Sequence, residues 1–283
     1  MDFQPFTRAA QPFSIGLAPV DAQHFLHVDN QRDRYLAEKR DMYERMFDDV
    51  FRAEDNTIDA QSEALAHIRA ALGDPLQVDP LLSETSPLAA AGLLVQDDLV
   101  LMRKDERGWR LVAASLCFPS SWSLAEKFGL PMEEVHAPVP GMEGKMSARI
   151  NRIFDALRPD TPLWRENWTF EGDCDLRHER SMAVRSPTYK EEKLQGPLWL
   201  RTEYQTLHKL PVSGTILFTI LILSRSLEEI AATPAGPQVM SSLLSQYENM
   251  SPAERGYKGI DKGAEKLMAW LRDHSGESQP AQP

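Results

Sequence analysis

A chain of 283 residues with 42% hydrophobic content carries enough apolar side chain to bury a sizeable core, which excludes disorder for most of it. Acidic residues outnumber basic ones by 42 to 31, for a formal charge of -11 and a pI near 5.2, and this excludes a general affinity for nucleic-acid phosphates or anionic lipid. The two cysteines, Cys117 and Cys174, have neither CxxC spacing nor the density of a secreted disulfide framework, so a cytoplasmic location is expected.

The first two dozen residues hold Pro5, Pro12 and Pro19 and lack the basic start and continuous apolar stretch of a signal peptide. They suit an extended arm docked on the body better than a helix. Over 29–51, Tyr35, Leu36, Met42, Tyr43, Met46, Phe47 and Val50 recur at threes and fours between charged residues, which predicts an amphipathic helix. A second helix is predicted over 58–72, ended by Gly73-Asp74-Pro75. From 93 to 116 the pattern changes to short apolar runs separated by RKDERG, the mark of a hairpin. Strand-like pieces follow at 168–180 and 198–211, and GTILFTILIL reads as a buried strand. Its apolar stretch, 216–223, is far shorter than the roughly 20 residues of a membrane-crossing helix. Helices are predicted again at 238–247 and 262–272. The polar, Pro-rich end suggests a folded unit over 1–275 and a disordered tail over 276–283. An α+β architecture with an antiparallel sheet follows.

Several stretches could carry chemistry. Residues 114–141 are dense in aromatic, Pro and Gly residues, and His136 stands there between apolar neighbours, just before Ala137-Pro138-Val139-Pro140. A neutral imidazole is a common metal and haem-iron ligand, and also a common hydrogen-bonded core residue; both readings stand. In 198–211, strand alternation puts Arg201, Glu203, Gln205 and Leu207 on one face and Leu200, Thr202, Tyr204, Thr206 and His208 on the other. The polar face suits a solvated ion-pair network or, if buried, a proton-transfer or amine-binding group. The tryptophans of Trp164-Arg165-Glu166-Asn167-Trp168 suit core packing or a wall against a flat cofactor, with Arg165 able to pair with a carboxylate. His24 and His27 have the spacing of a metal pair but no third ligand motif. The HExxH, Walker, GxGxxG, GxSxG and EF-hand signatures are missing.

The segments Cys117-Phe118-Pro119, Ser121-Trp122, Lys127-Phe128-Gly129 and His136-Ala137-Pro138-Val139-Pro140-Gly141 resemble the signature of the haem-dependent oxidative N-demethylase family. The likeness continues in Arg165-Glu166-Asn167-Trp168, Glu203-Tyr204-Gln205-Thr206-Leu207, Leu210-Pro211, the strand at 216–220 and Tyr257-Lys258-Gly259, and reaches back to Gly16-Leu17-Ala18-Pro19 and Asp29. The resemblance implies haem b in a PAS-like α+β fold, with an antiparallel sheet and flanking helices at both ends of the chain. It also implies oxygen-dependent removal of an N-methyl group from a small secondary or tertiary amine such as dimethylamine, with loss of formaldehyde. Electrons would come from NADPH through separate flavin and iron–sulfur reductase subunits, for which two cysteines are too few here. Carried over residue by residue, His136 becomes the axial iron ligand and Glu203 the distal acid. Arg165, Trp168, Gln205 and Thr206 become cofactor-side residues, with His208 or Cys117 as substitute ligands. One departure stands out: Tyr204 occupies a position where the family pattern leads one to expect arginine. It favours the alternative of a non-catalytic haem- or gas-sensing or interaction protein.

Overall fold

The computed structural model describes residues 15–21, 25–73, 79–141, 145–179, 196–260 and 264–276. The predicted tail beyond residue 276 and His24 lie outside the described residues, as do most of the N-terminal arm and 180–195.

The predicted first helix forms as α1 (Arg32–Val50) and buries Tyr35, Leu36, Met42 and Val50 along one stripe. Lys39 lies on the same stripe and is fully buried. Its ammonium donates to the carbonyls of Gly92, Val95 and Asp97 and lies 3.9 Å from Asp98. A buried lysine is tolerable only with its charge answered in this way. The chain then enters the edge strand β2 (Phe51–Ala53) and α2 (Ile58–Leu72). The latter stops at Gly73, whose φ of 64° is the left-handed C-terminal conformation glycine permits.

Seven of the helices among the described residues are not predicted by the sequence pattern, and the first two of them come next. These are α3 (Pro80–Thr85) and α4 (Pro87–Gly92), each begun by a proline, the residue suited to the first helical turn. The hairpin therefore starts later than expected, as β3 (Asp98–Asp105) and β4 (Gly108–Ser115), turning over 106–107 into Gly108 at φ 98°. Three helices follow: α5 (Leu124–Lys127), α6 (Met132–Val135) and α7 (Lys145–Ala156). The long strands β5 (Leu163–Glu171), β6 (Trp199–Lys209) and β7 (Ile216–Ser226) come next. The piece expected as a strand over 168–180 is thus strand only to Glu171, and the preceding residues extend it backwards. Four more helices close the chain: α8 (Leu227–Ala231), α9 (Gly236–Asn249), α10 (Pro252–Lys258) and α11 (Ala264–His274).

With the two-residue strand β1 (Ala18–Pro19), the sheet has seven strands in the order β1-β5-β6-β7-β3-β4-β2. All pairings are antiparallel. Counted from β3, the five long strands run second, first, fifth, fourth, third from the β4 side, the strand order of a PAS sheet. The fold is α+β with helices flanking the sheet, as the sequence predicts. One face packs Val100, Met102, Leu207, Ile220 and Ile222 against Tyr35, Met42 and Val50 of α1 and Phe154 of α7. The other face is split. Residues of α2 and α4, such as Ile68 and Leu88, cover Leu99, Leu101 and Leu217, while Met240, Leu243 and Leu271 of α9 and α11 cover Trp168, Phe170 and Leu200. Among the described residues, no helix is long and apolar enough to cross a membrane.

Candidate functional site

A cavity of about 560 Å³ opens on the α1 side of the sheet, within the roughly 300–1,000 Å³ typical of sites for cofactors and small molecules. Register decides what its floor offers. Arg165 is opposite Gln205, which is opposite Ile220; Asn167 is opposite Glu203, which is opposite Ile222. Residues directly opposite share a face, so the floor grades from polar at β5 to apolar at β7. Val100, Met102 and Leu111 extend the apolar end, and Phe118, Trp122, Val135, His136 and Val139 form the wall above it. The alternation predicted for 198–211 holds: Glu203, Gln205 and Leu207 line the cavity, while Thr206 and His208 do not.

Glu203 is half-buried and fixed through one oxygen. Its Oε2 accepts from Gln205 Nε2 at 2.7 Å and from Asn167 Nδ2 at 3.3 Å, and among the described residues no hydrogen bond reaches Oε1. Asn167 in turn accepts at Oδ1 from the Lys258 ammonium, 3.3 Å away. That ammonium also donates to the Trp168 carbonyl at 2.5 Å and lies 4.6 Å from the Trp168 ring centroid. Lys258 reaches the β5 edge where β1, pairing only with Leu163 and Trp164, has ended. Tyr257 lines the same corner, and burial raises its hydroxyl pKa, with Glu203 adding to the effect.

His136 follows α6, and its Nδ1 lies 2.9 Å from the Met132 carbonyl. A carbonyl only accepts, so Nδ1 carries the proton and Nε2 keeps its lone pair. Burial lowers the imidazole pKa, the Met132 bond opposes the shift, and Arg165 and Lys127 lower it further. The ring is therefore neutral at physiological pH. A neutral imidazole whose other nitrogen is tied to a backbone carbonyl is the usual state of a histidine that ligates metal.

Arg165 lines the cavity, and burial lowers its pKa while Glu203 opposes the shift. Its Nε is buried without a hydrogen-bond partner among the described residues. Such an orphan donor is costly and fits an anionic group entering the cavity, as a porphyrin carboxylate would. Trp168 lines the cavity edge with its Nε1 donating to Gln246 Oε1 at 2.8 Å.

The other nominated residues lie elsewhere. Thr206 shares a hydrogen bond of 2.7 Å with Thr219 on the far face. His208 is packed there against Phe25, with ring centroids 3.9 Å apart. Cys117 is buried outside the cavity lining, and burial beside Asp98 pushes its thiol up to about 12. His27 lies 3.9 Å from Asp29 and does not line the cavity. Among the described residues, no cluster of three or more His, Cys, Asp or Glu side chains is disposed to hold a bare metal ion, whereas an iron already held by a porphyrin needs only an axial ligand.

Two buried charges hold the walls: Arg201, placed by strand alternation on the polar face, and Asp98, which the sequence pattern did not single out. Arg201, 1% exposed, donates to the carbonyls of Phe118, Pro119, Asp175 and Leu176 and to Ser120 Oγ. Asp98 accepts from the backbone of Cys117 and Phe118, at 2.8 Å each. Both gather the Cys-Phe-Pro-Ser-Ser segment over the floor.

The PAS-type sheet and its histidine-bearing cavity define an α+β protein with a pocket of the size that small molecules and cofactors occupy. The family model described as haem-dependent oxidative N-demethylase, alpha subunit-like, matches residues 69–268. The chain belongs to that family.

Proposed function

We propose that the cavity holds haem b and that the chain is the oxygenase subunit of an oxidative N-demethylase. The observation that carries the reading is His136 with Nδ1 tied to Met132 in a cavity that also holds Glu203 and the orphan donor of Arg165. His136 Nε2 would hold the haem iron, and Arg165, Trp168 and Gln205, which line the same cavity, would support the cofactor. When bound, haem supplies the redox-active iron that activates oxygen.

The chain's own residues would do the rest. The apolar floor of Val100, Ile220 and Ile222 excludes water from the reacting carbon. Glu203, held at Oε2, presents Oε1 to an amine N–H or to a proton in transfer. The reaction converts a small secondary or tertiary N-methyl amine, such as dimethylamine, to the demethylated amine and formaldehyde. One oxygen atom leaves in formaldehyde and the other as water, and two electrons and two protons enter from outside. The electrons would come from NADPH through a separate flavin and iron–sulfur protein, because buried Cys117 and single Cys174 cannot supply a cluster's ligands. A cytoplasmic setting belongs to the same proposal.

The alternative, a haem- or gas-sensing protein without turnover, rests on Tyr204. That residue does not line the cavity; its ring stacks obliquely near Trp164, centroids 5.3 Å apart. The departure leaves the lining intact, so the enzymatic reading is preferred. The test is an absorption spectrum of protein expressed with haem supplied, followed by formaldehyde release from dimethylamine with a reductant. A Soret band and formaldehyde are expected. A colourless protein overturns the haem reading, and a Soret band without formaldehyde leaves the sensor.

A further inference from the structure

Among the described residues, Ser121 is the only non-glycine residue with a positive φ, 69°. Left-handed backbone is strained for serine and free for glycine, and it persists only where the surroundings over-determine it. They do so here. The Ser121 N–H donates to the His178 carbonyl at 2.7 Å, and the His178 N–H donates to the Pro119 carbonyl at 3.0 Å. Buried Arg201 holds the carbonyls of Phe118 and Pro119 and the hydroxyl of Ser120. These bonds use the backbone of Ser121 and leave its hydroxyl without a hydrogen-bond partner among the described residues. A turn alone would be better served by glycine. The hydroxyl belongs to a residue that lines the same cavity as Glu203.

We propose that Ser121 binds the substrate amine: its hydroxyl oxygen accepts one N–H of a small secondary alkylammonium while Glu203 Oε1 accepts the other. The substrate class rests on the function proposed above; the strain and the unpartnered hydroxyl do not. Two acceptors for two N–H groups make the site selective for secondary over tertiary ammonium ions, because a tertiary ion has a single N–H and the carboxylate is its better acceptor.

The test is calorimetric titration of dimethylammonium chloride and trimethylammonium chloride into the full chain, with haem supplied, for wild type, Ser121→Ala and Ser121→Gly. Both variants are expected to weaken dimethylammonium binding by roughly tenfold, as loss of a charge-assisted hydrogen bond does, and to change trimethylammonium binding by less than about twofold. Ser121→Gly alone is expected to raise Tm, by ~2–6 °C, as the strain is relieved. Unchanged dimethylammonium affinity in Ser121→Ala, equal losses for both ions, or no binding by wild type overturns the assignment. A Ser121→Gly variant no more stable than wild type removes the strain argument. Calorimetry needs no chromophore, so a missing Soret band would defeat the oxygenase reading while leaving this outcome to be read separately.

Discussion

The ammonium of Lys258 lies 3.3 Å from Oδ1 of Asn167, and that contact decides which end of the amide faces Glu203. Lysine can only donate, so it fixes the oxygen toward itself and turns Nδ2 toward the carboxylate. If the amide flipped, two oxygens would confront each other and Glu203 would lose one of its two anchors.

Replacing Lys258 with Met should therefore disturb Glu203 without emptying the cavity. Turnover is expected to fall by about tenfold, in line with loss of a positioning hydrogen bond, while the haem-to-protein ratio stays near that of wild type. Lys258→Arg, which keeps a donor toward Asn167, should recover much of the loss. Parallel loss of haem and turnover in Lys258→Met, with no recovery by Arg, would show that the lysine merely closes the β5 edge.

His136 is the only histidine among the described residues that lines the cavity, so the axial spectrum should depend on it alone. His136→Ala should lose the native ferric spectrum, and millimolar imidazole should restore it by filling the space the ring leaves. The restoration distinguishes a missing ligand from a collapsed wall. An unchanged spectrum in His136→Ala would move the ligand away from this residue altogether, since His208 and Cys117 lie outside the lining.

Arg201 is a structural counterpart to these site residues. Its guanidinium reaches four backbone carbonyls and one hydroxyl, and Arg201→Met would strand those acceptors and slacken the segment that carries Ser121. Removing one partner from such a buried network costs on the order of 3–5 kcal/mol. Urea denaturation should show a loss of that size; a loss below ~1 kcal/mol would mean that water replaces the guanidinium.

Local pattern carried a good deal of this. The RKDERG turn between apolar runs marks the β3–β4 hairpin, and strict alternation in 198–211 correctly separates Glu203 and Gln205 from Thr206 and His208. The same alternation explains why Thr206, though adjacent in sequence to Gln205, ends up bonded to Thr219 on the far face. What pattern could not show was partnership over distance. Lys39 reads as a solvated charge on an amphipathic helix, yet three carbonyls from the segment ahead of β3 draw it inside. Lys258 meets Asn167 across 91 positions, and the strain at Ser121 is a backbone angle set by Arg201 and His178. The short helices α3 and α4 escaped because six residues each are too few to show a period.

Two buried groups behind the sheet should make opposite contributions to acid stability. Asp97 is 1% exposed, and burial raises its pKa to about 7 although Lys39 and the nearby Thr219 hydroxyl oppose the shift. His208 is 2% exposed, and burial, with a smaller effect of His67, takes its pKa down to about 3. The folded state thus holds a proton on Asp97 more tightly than the unfolded chain does. The stability this gives is complete below the unfolded value of about 3.9 and is lost as pH rises through about 7. His208 works the other way: its contribution is present above the unfolded value of about 6.5 and is lost as pH falls toward about 3. Between about pH 4 and 6.5 the two slopes oppose each other. Asp97→Asn should remove its opposition to His208, so that urea midpoints fall more steeply on acidification through that interval than in wild type. His208→Leu should weaken the opposition to Asp97 and shift the midpoints toward a rise on acidification, relative to wild type, over the same interval. If both variants follow the wild-type slope, neither group changes its protonation on folding in the way its burial requires.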